Sequence, residues 1–110
     1  MLKIAMSAAA SGLLRALIAR AGVPRDRILL TNLRSVDWQS LTFVGERHEI
    51  SLRITGPHSE AVARRLTHGL EHADFVIPGQ MVADVGVASG PERTGDGSTQ
   101  LTIEALTIAE

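Results

Sequence analysis

The segment from Trp38 to Ile54 holds two runs in which apolar and polar residues alternate, and Gly45-Glu46 separates the two runs. Glycine in the first central position is typical of a two-residue type II′ turn, because that position has a positive φ. The segment is therefore predicted to be a β-hairpin that turns at Gly45-Glu46. In this register Trp38 lies opposite Arg53 and can form a cation–π contact with it. The predicted core face holds Leu41, Phe43, Ile50, Leu52 and Ile54. The opposite face is predicted to hold Trp38, Ser40, Thr42, Arg47, Glu49, Ser51 and Arg53.

The composition limits the kind of core that the chain can build. Its 110 residues are enough for one domain with a single core. The chain contains one Trp, two Phe and no Tyr, so the core must be built from Leu, Ile, Val, Met and Ala. Cysteine is absent, which excludes disulfides, thiolate metal sites and cysteine nucleophiles and fits a reducing compartment.

The first part of the chain is apolar and contains Lys3, as a secretory signal would. Arg15 interrupts it, and the uninterrupted stretch from Ile4 to Leu14 is shorter than the roughly 20 residues that span a bilayer. We therefore expect no targeting segment, no membrane span and a cytoplasmic location.

The charges are unevenly distributed although the net charge is −1. Residues 1–65 hold ten basic and five acidic side chains, whereas residues 66–110 hold one basic and seven acidic side chains. Such an asymmetry indicates a basic surface for an anionic partner, or two halves that attract each other within or between subunits.

Two helices are predicted, one on each side of the hairpin. The first runs from about residue 3 to residue 21, because Gly22 suits a left-handed position after a helix and Pro24 cannot continue it. The second begins at Gly56-Pro57, since proline suits the first helical position, and runs to about Ala73.

The remaining segments are predicted to be extended. Residues 27–44 favour one long strand that is kinked near Val36-Asp37, and two strands joined by a turn remain the alternative. Ile77-Pro78-Gly79-Gln80 matches a type II turn, with Pro and Gly at the two central positions, and a bulge in one longer strand is the alternative. Residues 81–89 and 99–109 are then strands, with Met81, Val85 and Val87 in the core and Asp84 facing outward.

The order helix, hairpin, helix, hairpin predicts an α+β two-layer sandwich. If the last strand is moved to the front, the order becomes βαββαβ, so the simplest architecture is a circularly permuted ferredoxin-like fold. Its antiparallel sheet carries both helices on one face, with residues 47–55 and 99–109 in the centre and residues 27–44 and 81–89 at the edges. The other face must meet water, a ligand or another subunit.

The uncovered face is the main candidate for function. Its predicted basic part holds Trp38 with Arg34, Arg47 and Arg53, and Asn32 lies beside them. Its acidic part holds Asp84 and Glu104, together with Gln100 and Thr102. A solvated polar face is one interpretation. The other is a contact surface, because an exposed aromatic among arginines is typical of an interface anchor. Under a two-fold axis the basic hairpin of one subunit meets the acidic hairpin of the other, which predicts a non-enzymatic assembly domain that forms a homodimer.

His48 carries the alternative hypothesis, a small enzyme or a binder of a small anionic molecule. It is predicted to lie on the core side, where a histidine commonly bonds a backbone carbonyl. It can act as a catalytic base only if a carboxylate such as Asp84 or Glu46 approaches it. Arginines at the same cleft would hold the anion.

No motif indicates a cofactor, a metal or a nucleic acid. His68 and His72 have a spacing that suits one metal ion, but no third ligand accompanies them, and exposed helix-flank histidines are the alternative. The glycine-rich segments 86–90 and 95–98 lack the lysine and spacing of a phosphate-binding loop. A single tryptophan and an acidic half-face do not suit nucleic acid.

Three segments carry a resemblance to known proteins: Trp38-x-Ser40-x-Thr42-Phe43-x-Gly45-x-Arg47-His48, Ile77-Pro78-Gly79-x-x-Val82-Ala83-Asp84, and Ile103-Glu104-Ala105-Leu106. With these segments the chain resembles, over most of its length, a group of short, uncharacterised bacterial α+β proteins. The resemblance implies no catalytic residue and no cofactor.

Overall fold

Four strands and two α-helices alternate in pairs along the chain. The computed structural model describes residues 6–110. The elements are α1 (Ala8–Ala21), β1 (Ile28–Gln39), β2 (Val44–Ile54), α2 (Ser59–Thr67), β3 (Gln80–Arg93) and β4 (Thr99–Ala109). All strands pair antiparallel in one sheet of order β1-β2-β4-β3, so the α+β class is confirmed. None of the helices within residues 6–110 combines the length and the apolarity that a membrane crossing needs.

Both helices pack on the same face of the sheet and build one aliphatic core. The helices contribute the buried side chains of Leu13, Leu14, Leu17, Ala21, Val62, Ala63 and Leu66. The strands contribute Ile28, Ile50, Leu52, Ile54, Val85, Leu101, Ile103 and Ala105. Directly opposite residues of an antiparallel pair share a face, and these strand residues occupy one face of the register. The predicted core positions Ile50, Leu52 and Ile54 are therefore confirmed.

Helix α1 ends as predicted and begins later than predicted. Gly22 has a φ of 69° and stops the helix in the left-handed conformation. At the other end, the Ser7 hydroxyl accepts a hydrogen bond from the Ala10 amide at 3.1 Å, so Ser7 is an N-cap. The predicted start at residue 3 is wrong for Met6 and Ser7, and residues 3–5 lie outside the described part of the chain.

The predicted hairpin turn is wrong, because the chain turns at Ser40–Phe43. The Ser40 hydroxyl accepts hydrogen bonds from the amides of Thr42 and Phe43 at 3.4 and 3.0 Å, and the Ser40 amide donates to the Phe43 carbonyl. Leu41 is fully exposed and Phe43 half-exposed, so neither belongs to the core.

The pairing of β1 with β2 therefore shifts by eight positions along β2. Trp38 lies opposite Gly45 instead of Arg53, and Arg53 lies opposite Leu29. The predicted contact between Trp38 and Arg53 does not form. Because the shift is an even number of residues, Trp38 and Arg53 nevertheless keep the predicted face.

Gly45 lies within β2, where it lets two backbones approach closely. A Cβ atom added to Gly45 would lie 2.0 Å from the carbonyl oxygen of Thr107 on β4. A strand glycine commonly marks such an approach. The sequence signal read as a turn is thus a requirement of sheet packing.

Strand β1 is one long strand, as favoured, but it has no kink at Val36-Asp37. The irregularity is a bulge at Thr31, which lies between Leu30 opposite Leu52 and Asn32 opposite Ser51. Thr31 donates its hydroxyl to the Ser51 carbonyl at 3.2 Å. The strand ends at Gln39, five residues before the predicted limit.

Helix α2 is shorter than predicted at both ends. Pro57 lies outside it, because His58 adopts a left-handed conformation with a φ of 59° before the helix begins at Ser59. The helix stops at Thr67, since Gly69 has a φ of 67° and turns the chain into a separate 3-10 helix over Leu70–His72.

The second hairpin follows the predicted turn but has a longer first strand. The Gln80 amide donates to the Ile77 carbonyl at 3.0 Å and Gly79 has a positive φ, which fits the predicted type II turn. Strand β3 then continues to Arg93, beyond the predicted end at residue 89. The register shifts between Val82 and Asp84, between Val87 and Ser89, and between Ser89 and Glu92.

The first of these shifts, at Ala83, changes the face of Met81. Met81 lies opposite Ile108 and Asp84 opposite Leu106, so both point away from the helices. The prediction that Met81 is a core residue is therefore wrong, and its side chain is half-exposed. Val85 is buried in the core as predicted, whereas the prediction that Val87 is a core residue is wrong, because its side chain is exposed although it lies on the same face as Val85.

The turn position can be tested by comparing two leucines. We expect Leu41→Ser to change the free energy of unfolding by less than about 0.5 kcal/mol, because Leu41 is exposed. Leu52→Ala should lower it by about 2–5 kcal/mol, because Leu52 is buried in the core. Urea unfolding of both variants measures the difference. Equal losses would mean that Leu41 is a core residue and that the turn lies elsewhere.

Candidate functional site: the open sheet face

The sheet face that carries no helix is the candidate site and is called the open face below. Its β1 and β2 residues are Leu29, Asn32, Arg34, Val36, Trp38, Gly45, Arg47, Glu49, Ser51 and Arg53. Its β4 and β3 residues are Gln100, Thr102, Glu104, Leu106, Ile108, Met81, Asp84, Gly86, Ser89 and Glu92. Every binding residue predicted from the sequence lies on this face, and the register brings them together.

The open face is divided by charge along a line that runs parallel to the strands, between β2 and β4. The basic half, formed by β1 and β2, carries Arg34, Arg47, Arg53 and Glu49. The acidic half, formed by β4 and β3, carries Glu104, Asp84 and Glu92. With three arginines and one carboxylate against three carboxylates, the two halves have charges of opposite sign. The division is sharp because each half is one hairpin.

Most of these charges have no partner within the described chain. Within residues 6–110, neither Arg34 nor Arg47 forms an ion pair, and neither do Asp84 and Glu104. By contrast, three arginines away from the open face donate to backbone carbonyls. Arg20 bonds the carbonyls of Leu66 and His68, Arg27 those of Thr55 and Pro57, and Arg65 that of Ala21. The sequence gives no signal for these structural arginines, because their acceptors lie about 30 to 50 residues away.

Arg53 differs from the other two arginines of the face, because it pairs with Asp96 in the β3–β4 turn. The hydroxyls of Ser98 and Thr94, the Ser98 amide and the Arg53 guanidinium together hold the pKa of Asp96 below its ordinary value. Arg53 also donates to the Ser98 hydroxyl at 2.9 Å. Arg53 thus fixes a turn, whereas Arg34 and Arg47 form no ion pair within residues 6–110.

One end of the open face is apolar. Trp38, Gly45, Ile108 and Met81 lie side by side across the four strands and are called the apolar row. Gly45 puts no side chain between Trp38 and Ile108. Ile108 is 7 % exposed, whereas Met81 is half-exposed and Trp38 partly exposed. Val36 and Leu106 lie in the next row and extend the apolar surface.

The centre of the open face is charged. Arg34, Glu49, Glu104 and Gly86 lie side by side and are called the charged row. Three of them, with Arg47, border a depression of about 260 Å³. Glu49 and Glu104 are directly opposite each other, and like charges in such a pair are destabilising without a cation nearby. An added cationic group would therefore be stabilised here.

His48 lies on the helix-covered face and is 1 % exposed. Its two ring nitrogens each lie 2.8 Å from a hydroxyl, Nδ1 from that of Ser35 and Nε2 from that of Thr107. The predicted core side is correct, but the partners are hydroxyls and not a backbone carbonyl. Burial lowers the pKa of His48, and the Glu46 carboxylate opposes this effect.

The structure does not bring His48 and Asp84 together, because the two residues point to opposite faces of the sheet. Asp84 lies on β3 at one edge of the open face, whereas Arg34 and Arg47 lie on β1 and β2 in the other half of the sheet. The catalytic pair considered from the sequence therefore has no shared cleft.

His68 and His72 do not share a helix. His68 lies at the end of α2 and His72 in the 3-10 helix, with the left-handed Gly69 between them, and both side chains are exposed. Among residues 6–110, no group of three or more His, Asp and Glu side chains is placed to hold a metal ion.

A cavity of about 500 Å³ lies away from the open face, between the β2–α2 loop and the β3–β4 turn. Its charged lining includes Arg64, Arg93, Glu60 and Asp96. Arg93 pairs with Glu60 at 3.3 Å and Asp96 with Arg53, so most of these charges are already neutralised. This cavity has a weaker claim to a charged ligand than the open face.

No protein-family model matches the chain, and no curated protein matches it in sequence. The resemblance to short bacterial proteins therefore stays a prediction, and the geometry of the open face carries the functional argument.

Proposed function

We propose that the protein is a non-enzymatic assembly domain that forms a homodimer through the open face. The observation that carries this proposal is the division of the face into a basic and an acidic half. A second copy of the chain supplies both complementary halves at once, whereas a uniformly charged partner is repelled by one of them.

The unpaired charges and the apolar row support the same partner. Arg34 and Arg47 lack ion-pair partners within the described residues, so binding a second copy satisfies charges that folding leaves free. Trp38, Met81 and Val36 expose apolar surface on the same face, and exposed apolar patches commonly mark interaction sites. Tryptophan and arginine are also the residues most enriched at the energetic centres of interfaces.

The size of the face fits a dimer interface. Four strands and five rows of side chains cover about 600 Å² in projection, close to the scale of about 800 Å² per partner in a standard interface. Because the side chains protrude from the sheet, the accessible area buried in the contact is larger than this projected area.

The fold itself is proposed to be a circularly permuted ferredoxin-like sandwich. The element order α-β-β-α-β-β and the sheet order β1-β2-β4-β3 support this assignment. Moving β4 ahead of α1 gives the βαββαβ order. In such a sandwich the face opposite the helices stays open to a partner.

Light scattering at micromolar concentrations tests the proposed function. We expect a mass twice that of the 11.7 kDa chain. Raising the salt from 0.05 to 0.5 M should weaken the dimer by about tenfold, because salt screens the charged halves. Independently of salt, Trp38→Ala should weaken the dimer. Val76→Ala, which removes an exposed apolar side chain away from the strands, is the control and should have no effect on the dimer. A wild-type chain that stays monomeric at about 100 μM, well above the micromolar range of ordinary specific complexes, contradicts the proposal.

A further inference from the structure

A second copy can pack on the open face in two ways, which differ in the strands and rows that meet. A two-fold axis in the interface runs either parallel or perpendicular to the strands, since packed sheets keep their strand directions nearly aligned. A parallel axis places β1 over the partner's β3 and β2 over the partner's β4, and each row meets the same row. A perpendicular axis places every strand over its own copy and reverses the order of the rows.

Charge and polarity both favour the parallel axis. It lays the basic half on the partner's acidic half and the apolar row on the partner's apolar row. A perpendicular axis lays the basic half on a basic half, with Arg34 facing the partner's Arg34. It also places the apolar row over the opposite end of the face, where Trp38 meets the partner's Leu29 but Gly45, Ile108 and Met81 meet Arg53, Gln100 and Glu92.

We propose that the two-fold axis runs parallel to the strands between β2 and β4, and that Arg34 of each copy lies over the partner's Gly86 and pairs with the partner's Glu104. This inference rests on the proposed dimer and specifies its geometry. It assigns to Arg34 and Glu104 the contact that decides how the two copies are oriented.

Gly86 makes room for this contact. It lies directly opposite Glu104 at the β3 end of the charged row, and it has no side chain. Within 4 Å of the position where a Gly86 Cβ would lie, the nearest atom is the Glu71 Cγ at 3.9 Å. Sheets packed face to face lie about 10 Å apart, a gap that an arginine side chain bridges.

The parallel axis brings the carboxylates of two charged rows together and places arginines beside them. Glu49 then lies over the partner's Glu104, and Arg34 lies beside both of them. Arg47, in the next row of the same strand as Glu49, bounds the pair on another side. Two arginines of one copy thus neutralise two facing carboxylates, which Arg34 does not do by a direct ion pair within its own chain.

Charge reversal in trans tests the contact. We expect Arg34→Glu and Glu104→Arg, each alone, to raise the dissociation constant by about tenfold or more, because each creates two like-charged contacts per dimer. Mixed in equal amounts, the two variants should form a heterodimer, because one of its two contacts is the wild-type pair of Arg34 and Glu104 and the other joins the two substituted side chains, which again carry opposite charges. Native mass spectrometry identifies the heterodimer by its mass. Arg64→Glu, a charge reversal on the exposed side of α2, is the control and should leave the dimer unchanged.

Cysteine cross-linking tests the geometry independently, because the chain has no cysteine of its own. With a short bis-maleimide, a mixture of Trp38→Cys and Met81→Cys chains should give a cross-linked dimer if the axis is parallel. A perpendicular axis instead brings Trp38→Cys near Leu29→Cys of the other chain. Met81 and Leu29 are exposed and Trp38 is partly exposed, so this test does not depend on charge-reversed chains that fail to fold. It is done at a protein concentration that keeps the dimer populated, because replacing Trp38 also weakens it.

The outcomes separate the two proposals. A monomeric wild-type chain overturns the proposed function. A wild-type dimer that survives both single charge reversals unchanged, or that cross-links through Leu29→Cys and not Met81→Cys, overturns the parallel axis and leaves the homodimer standing. Weakening by each reversal, rescue by mixing and cross-linking through Met81→Cys together support the proposed contact.

Discussion

Gly45→Ala is expected to lower the free energy of unfolding by about 3 kcal/mol or more. The added Cβ would lie 2.0 Å from the Thr107 carbonyl oxygen and 3.1 Å from the Ile108 Cα. Both are backbone atoms of a central strand, so no side-chain rotation relieves the clash, and β2 and β4 must separate at this end. Urea unfolding at a fixed protein concentration, followed by circular dichroism, measures the loss. With a slope of about 1.5 kcal/mol/M, the midpoint should fall by about 2 M.

Gly95→Ala is the matched control. Gly95 lies in the exposed β3–β4 turn, and nothing lies within 4 Å of the position of its Cβ. The same substitution there should change the free energy of unfolding by less than about 0.5 kcal/mol. If Gly45→Ala were as mild as Gly95→Ala, Gly45 would not lie close against the backbone of β4, which would contradict the observed pairing of Gly45 with Ile108.

Acid is expected to destabilise the protein through His48, beginning below about pH 6.5. Burial lowers the pKa of His48 in the folded chain, against the opposing effect of Glu46, while the unfolded chain binds a proton near the ordinary value of 6.5. As the pH falls below that value, the unfolded state takes up more protons than the folded state. The free energy of unfolding must therefore decrease, by at most about 1.4 kcal/mol per pH unit for this one group. Well above pH 6.5, where both states hold His48 neutral, the contribution of His48 is constant.

His48→Gln isolates this effect, because glutamine keeps a donor and an acceptor for Ser35 and Thr107 but does not titrate. Unfolding by urea between pH 7.5 and 5 should show a steeper decline for wild type than for the variant. His58, His68 and His72 remain in both proteins, so they cancel in the comparison. Parallel profiles would show that the folded state takes up a proton on His48 as readily as the unfolded state, and would contradict the lowered pKa.

Asp96 acts in a different pH range and does not obscure the result. Its pKa is held below the ordinary value of 3.8, so its contribution to stability is present above that value and is lost as the pH falls further. Asp96→Asn should therefore alter the profile only at the acid extreme, well below the range in which His48 acts.

The sequence predicts the faces of the sheet better than it predicts the turns. Alternation alone places Ile50, Leu52 and Ile54 toward the helices and Arg47 and Arg53 away from them, and burial and register bear this out. The period of two survives the wrong turn because the pairing shifted by an even number of residues. A shift of one residue would have exchanged the faces of an entire strand.

The turn itself could not be predicted from Gly45, since glycine serves two physical roles that look the same in a sequence. It permits a positive φ, and it permits two backbones to approach each other closely. The second role depends on Thr107, which is distant in sequence. The true turn depends on the Ser40 hydroxyl, a weaker signal that lies within a run of alternating residues.

Bulges limited the prediction of the acidic half in the same way. Met81 and Asp84 are an odd number of residues apart, so strict alternation places them on opposite faces. The extra residue at Ala83 places them on the same face. The sequence nevertheless predicts the open face for Asp84 and Glu104. Each of them follows or precedes an apolar core residue, Ile103 or Val85, and neighbouring residues of a strand point to opposite faces.

The irregular course of β3 also limits how copies of this chain can accumulate. An amyloid-like ribbon grows by adding strand to strand, and each copy must offer two regular edges for it. Strand β3 interrupts its register at three places and contains Pro91, which has no amide hydrogen to donate. One unusable edge is enough to stop such growth. The edge that complicates the prediction of the fold thus disfavours growth strand by strand, which is consistent with the proposed association through the open face.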